Sequence, residues 1–209
     1  MGRLRAARVQ TFVVRVGLAA NLLSLEWPRV HENIADHEVA DKLMNSVYRP
    51  LWIMTSHRGP DLCGSLVTAG IGAFRSNPVK FIVCVSKHDY SHEIIMESGV
   101  FAIHPLLEHQ IELTAHFAYQ SGRDVDKFAT VPHKIGHTGC PILLDCVGAM
   151  EFEVIHKIDT SYATITVGEI RAAEARLPLD DITFGTGMNE EWFRINAPPR
   201  PVAPPPSAH

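Results

Sequence analysis

The 209-residue sequence predicts a mainly β fold, a small antiparallel barrel interrupted by a helical excursion. Three observations carry that expectation. Short apolar runs rich in β-branched and aromatic residues crowd between Leu51 and Ser86, two helix-like stretches fill the middle, and a long alternating stretch follows Pro141. Strands, then helices, then a hairpin is the order of a curled antiparallel sheet, not of repeated βαβ units. Gly70 and Gly72 lead to Phe74 and Arg75 without a third glycine, so no dinucleotide fingerprint is present, and no Walker motif occurs.

Composition limits the function classes. The length suits one domain of about 150 residues with tails, large enough to bury a core without staples. A net charge of -4 with no basic stripe beyond the first residues gives no electrostatic reason to expect nucleic acid, and none for a membrane surface. Four irregularly spaced cysteines do not make a disulfide scaffold, so a reducing cytoplasm is the expected setting. We divide the chain into an N-terminal extension over 1–35, disordered or helical, a domain over 36–185, and a C-terminal segment over 186–209.

Arg3, Arg5, Arg8 and Arg15 punctuate the start, and Arg15 interrupts its apolar run. That pattern suits a targeting segment, an amphipathic surface helix, or upstream sequence outside the mature fold, the last being preferred. Val39, Leu43 and Val47 predict a short amphipathic helix over 36–48, capped by Asp36. Three strands should follow: LWIMTS, GSLVTAG and VKFIVCVS. The middle one is unusual, because Ser65, Thr68, Ala69 and Gly70 supply no bulk. It either leaves backbone amides and hydroxyls bare to a flat polar ligand or marks a bend in a barrel wall.

Asp89 and Ser91 open a short helix that Gly99 ends, and its first amides offer an anion site. After the strand VFAIH, Pro105 opens a longer helix through LLEHQIELTAHFAYQ, stopped at Gly122. In SGRDVDKF, Arg123 and Lys127 are about one helical turn apart, so a short helix there would aim both cations at a phosphate or carboxylate; an exposed charged turn is the alternative. The hairpin ILLDCVGAMEFEVIHKID and TSYATITVGEI turns at Asp159 and Thr160. Phe152 and Val154 are expected opposite Glu151 and Glu153, and Ala163, Ile165 and Val167 opposite Thr164 and Thr166. RAAEARL reads as a helix or connector, DITFG as an edge strand, and the tail, with six of the fourteen prolines, as a disordered or extended linker.

Twelve histidines raise a metal reading, with His88 and His92, or His133 and His137, at one-face helical spacing. Pro132 and Gly136 argue against a helix at the second pair, and no metal site is assigned. Cys63 reads either as a redox thiol or as a small buried residue. No serine triad with a nucleophile elbow can be assembled.

From about Met44 to Ile170 the chain resembles the flavin reductase-like, FMN-binding split-barrel family. The resemblance rests on MTSHRG, GSLVTAG, the corner FRSNPVK before FIVCVS, the KHDYSH turn, LLEHQIELTAHFA, SGRDVDKF, GHTGCPIL and TITVGEI, in that order. It implies a six-stranded Greek-key split β-barrel, homodimeric, with FMN, or FAD, near the interface. By the same resemblance Thr55, Ser65, Val67, Thr68 and Ala69 would contact the ring, and Lys87, Ser91, His92, Arg123 and Lys127 the ribityl phosphate. His137 and Tyr162 are the catalytic candidates, and Trp52 a further ring neighbour.

Thr160, Ser161 and Tyr162 stand where NADH-using members often have Gly-Asp-His. The expected activity is NAD(P)H:flavin oxidoreduction, with electrons passing to free flavin, oxygen or a partner monooxygenase. An electron-carrier flavoprotein with tightly bound FMN and no NAD(P)H site, and a non-catalytic split-barrel binding module, are the alternatives.

Overall fold

A computed structural model describes residues 50–68, 72–74, 76–176 and 194–200. The N-terminal extension, the helix expected over 36–48, Ala69, Gly70, the edge strand DITFG and residues 201–209 of the tail lie outside the described residues.

The first two strands are β1 (Trp52–Arg58) and β2 (Asp61–Val67), a hairpin closed by Gly59 and Pro60. Gly59 sits at φ 58°, the left-handed region that a glycine enters without strain. The second strand therefore starts at Asp61, ahead of the expected GSLVTAG, because the tight turn lets HRGPDL pair with itself. The brief β3 (Gly72–Phe74) and β4 (Lys80–Ser86) follow. Helix α1 (Tyr90–Ser98) ends at Gly99, whose φ of 72° lets its amide reach the Ile95 carbonyl. Then come β5 (Val100–Pro105), a 3-10 turn at Glu108–Gln110 and helix α2 (Ile111–Tyr119). The second helix thus starts six residues after Pro105, which itself closes β5.

Residues 121–128 form turns, so the expected short helix is absent there. A two-stranded ribbon pairs β6 (His133–Ile135) with β7 (Pro141–Leu143), and β8 (Gly148–Asp159) and β9 (Ala163–Ala175) make the long hairpin. The main sheet runs β2-β1-β5-β8-β9-β4-β3. It is the curled antiparallel sheet of a split barrel, with six long strands and the three-residue β3 at one edge.

Both sides of this sheet are packed. Ile53 joins Leu51, Leu106, Phe117, Phe128 and Leu143, while the next residue, Met54, joins Phe81, Val83, Phe101, Ile103 and Phe152. Each such buried side chain contributes about 1.5–3 kcal/mol of transfer free energy.

Three hairpin expectations are corrected. Glu151 is buried beside Phe152, because the β8–β9 register shifts between these two residues. Thr164, Thr166 and Gly168 supply the buried side of β9, while Ile165 and Val167 are half-buried. Thr166 satisfies its hydroxyl on the Val83 carbonyl at 3.1 Å, and Gly168 lies flush against Phe101 and Phe152, so this face is filled from outside the strand. RAAEA is neither helix nor connector but the end of β9, held by pairing with β8.

Candidate functional site

Among the described residues β2 pairs with β1 alone, so its outer edge is a free edge of the sheet they form. A cavity of about 510 Å³ lies there. Cys63 to Leu66 of β2 form one wall, His88 to Ser91 at the start of α1 another, and the end of α2 with the following loop to Arg123 a third; Lys127 completes the lining.

Ser65 donates to the Ser91 hydroxyl at 3.1 Å, tying the strand to the first turn of α1. Asp89 stands at the N-cap position but its side chain makes no capping bond, which leaves first-turn amides without that partner. Gly64 and Gly122 serve close packing: a Cβ at either would collide with the ring of Phe117 or Tyr90. The strand is therefore covered at Gly64 rather than bare, and polar function passes to Ser65 on its other face.

Arg123 is ion-paired with Glu93, donates to the His88 carbonyl at 3.0 Å, and its guanidinium lies 5.5 Å from the Tyr90 ring centre. Lys127 points inward. Its ammonium donates to the carbonyls of Gly64 at 2.9 Å and Phe117 at 3.0 Å, and burial pulls its pKa down to about 8. Arg123 and Lys127 thus reach one cavity without the predicted helix, by different routes.

A second cluster lies at the β8–β9 turn. Lys87 stands 3.4 Å from Asp159 and its amide donates to the Tyr162 carbonyl. Asp159 accepts from Thr164 at 2.7 Å; that bond first, and Lys87 second, hold its carboxyl below the usual range. His92 is 2.8 Å from the same threonine hydroxyl. Tyr162, 64% exposed, holds its ring 5.3 Å from that of His88, which lines the cavity, with the two planes tilted by 60°. His88 and His92 therefore go to different partners.

The other nominated residues lie apart from the cavity lining. Thr55 is wholly buried and donates to the Pro141 carbonyl at 2.7 Å. Val67 is in the core, and Thr68 is half-buried just beyond β2. Trp52 packs edge-on against Phe81, and its buried indole N–H meets no acceptor among the described residues.

His137 is exposed in the β6–β7 turn. Glu151 takes the amides of His137 at 3.0 Å and Thr138 at 2.6 Å, together with the Thr138 hydroxyl, and His57 contacts the Thr138 carbonyl at 3.1 Å. Gly139, at φ 87° and against His57, permits this turn. Cys63 is buried, which pushes its thiol up to about 12 and removes the redox reading. Sequence reasoning passed over His88, Asp89, Tyr90 and the end of α2 as wall residues; the Tyr90–Gly122 contact has no local signature.

Residues 44–187 match the model of the flavin reductase like domain. A ferric-chelate reductase (NAD(P)H) of Archaeoglobus fulgidus is 30% identical over 136 residues, covering 64% of this chain and 80% of that protein. Other curated relatives are longer, and the chain spans between 22% and 63% of them. Among solved structures, the Streptomyces globisporus C-1027 NADH:FAD oxidoreductase SgcE6 superposes with a TM-score of 0.62 at 21% identity, over 68% of this chain and 85% of that one. An FMN-binding protein from Thermus thermophilus gives 0.59 at 22% identity, over 63% and 74%. At these identities the two structures speak for the fold. Among the described residues no helix is long and apolar enough to cross a membrane.

Proposed function

Since this chain belongs to the flavin reductase-like family, we propose that it takes hydride from NAD(P)H onto FMN held at the free edge of β2 and passes the electrons to free flavin, oxygen or a partner monooxygenase. The observation that carries this reading is the cavity in which the Ser65–Ser91 pair, the first turn of α1 and the ammonium of Lys127 face one volume. A phosphate dianion suits that donor set: hydroxyls, amides and a cation in one concavity. Bound flavin supplies two-electron chemistry at its ring, and the chain supplies position and charge.

In this reading Ser65, Ser91 and Lys127 hold the charged end, while Arg123 closes the rim and steadies the His88 carbonyl. Tyr162, whose ring meets that of the lining residue His88, limits access of water and of the nucleotide in this reading. His137 is not among the residues that line this cavity, so in this reading it enters through a second copy of the chain, in a cytoplasmic homodimer. A Kd for FMN measured by fluorescence quenching, followed by anaerobic addition of NADH and NADPH, tests the reading. Prompt bleaching of the bound flavin is expected; absence of flavin binding defeats it. FAD in place of FMN would be seen in the same titration.

Tyr162, standing where NADH-using members often carry histidine, favours a second reading, a carrier with tightly held FMN and no nucleotide site. Flavin that binds but bleaches only with dithionite would select the carrier. A non-catalytic module would show neither response.

A further inference from the structure

The cavity beside β2 has a neighbour. A second cavity, of about 440 Å³, lies farther along the same strand, beside Pro60 to Leu62, where the first takes Cys63 to Leu66. Tyr90, Gly122 and Arg123 line both. These three residues are therefore the wall between two compartments.

The wall is held from several sides. The Tyr90 ring is seated on Gly122 so closely that a Cβ there would stand 2.8 Å from it. The Arg123 guanidinium lies 5.5 Å from the ring centre, and is itself tied to Glu93 and to the His88 carbonyl. At the far end of the ring, Arg58 donates to the Tyr90 hydroxyl at 3.4 Å while it is paired with Asp61 at 3.1 Å and Glu97 at 3.2 Å. Swinging the ring aside gives up all of these contacts together.

The two compartments also differ in charge. The first offers the hydroxyls of Ser65 and Ser91 and the Lys127 ammonium, against one lining carboxylate, Asp89, among the described residues. The second is lined by three carboxylates, Asp61, Asp124 and Asp126. A phosphate suits the first side of the wall and is opposed on the second.

We propose that Tyr90 is the specificity-determining residue of this site: its ring, seated on Gly122, ends the first compartment after one phosphate, so the chain takes a flavin mononucleotide and refuses the dinucleotide. The proposal rests on the flavin reading above, in which the charged end of the ligand lies at Ser65 and Ser91. From that phosphate a flavin dinucleotide continues into a second phosphate and an adenosine, and both need the room beyond Tyr90. With the ring removed, the two volumes join, and the adenosine enters the second compartment, where carboxylates accept from ribose hydroxyls.

Calorimetric titration of the full chain with FMN and with FAD tests this. The parent chain should bind FMN about tenfold or more tightly than FAD. Tyr90→Ala should bring FAD to within about threefold of FMN, whereas Tyr90→Phe, which keeps the ring and loses only the Arg58 bond, should keep the preference. Val125 lines the second compartment and is 40% exposed, so Val125→Trp fills that space from its rim. Added to Tyr90→Ala, it should undo the gain in FAD binding and leave FMN binding as it was.

Thermal unfolding of each variant checks that it folds. If Tyr90→Ala does not, Tyr90→Leu takes its place, with a smaller gain in the same direction. FAD bound as tightly as FMN by the parent chain overturns the proposal and leaves the flavin reading standing. So does a preference that Tyr90→Ala leaves unchanged or that Tyr90→Phe abolishes, and so does a gain in FAD binding that Val125→Trp fails to reverse. Failure to bind either flavin overturns both.

Discussion

The imidazole of His104 is wholly buried between two strands, with Nδ1 3.1 Å from the Ile53 carbonyl and Nε2 3.3 Å from the Leu143 amide. One nitrogen must donate and the other accept, which only the neutral ring does. Burial accordingly lowers its pKa to about 4. The folded state then binds fewer protons than the unfolded one between pH 6.5 and pH 4. The stability present above pH 6.5 is therefore lost as the pH falls through that interval, by on the order of 3 kcal/mol. Urea unfolding at pH 7.5 and 4.5 measures the difference. His104→Gln should be less stable at pH 7.5 yet lose less on acidification, and an unchanged profile in that variant would assign the acid sensitivity elsewhere.

At the same scale, the sequence paired Arg123 and Lys127 by spacing. It held no sign that one would take a surface carboxylate and the other two interior carbonyls, since that is decided by Glu93, Gly64 and Phe117, all distant in sequence.

Among the elements, β9 carries the sharpest constraint. A Cβ on Gly168 would stand 2.6 Å from the Phe101 ring and 2.8 Å from the Phe152 Cβ, in the middle of a packed cluster. Gly168→Ala should therefore destabilise by about 1–3 kcal/mol through overpacking. A denaturation midpoint equal to that of the parent chain would show the cluster to be looser than drawn.

The same strand shows where reading from sequence stops. Its alternation and length were legible, and so was its partner β8. The inward face was not, because threonines that bond to Val83 and Asp159 look polar in isolation, and a glycine inside aromatic packing looks like a gap. Helix α1, by contrast, was legible from Asp89 to Gly99, since its stop is a local backbone event at Gly99. The site followed the same division: Ser65, Ser91, Arg123 and Lys127 do meet, whereas Thr55 and Val67 turned inward to serve the core.

At the scale of the sheet, β2 and β3 are edges with no further strand among the described residues, and Ile158 and Tyr162 expose apolar surface near the tip of the β8–β9 hairpin. Edges and apolar patches of this kind are commonly covered in an assembly. The homodimer proposed above should appear in sedimentation equilibrium as twice the monomer mass at micromolar concentration, and a monomer there would count against it.

The turn at residues 136–139 adds a consequence for how this surface treats small anions. Its neighbouring amides at His137 and Thr138 form the sort of cradle that captures stray phosphate or sulfate, but the chain has seated its own carboxylate, Glu151, in it, only 7% exposed. A visiting anion finds that berth taken.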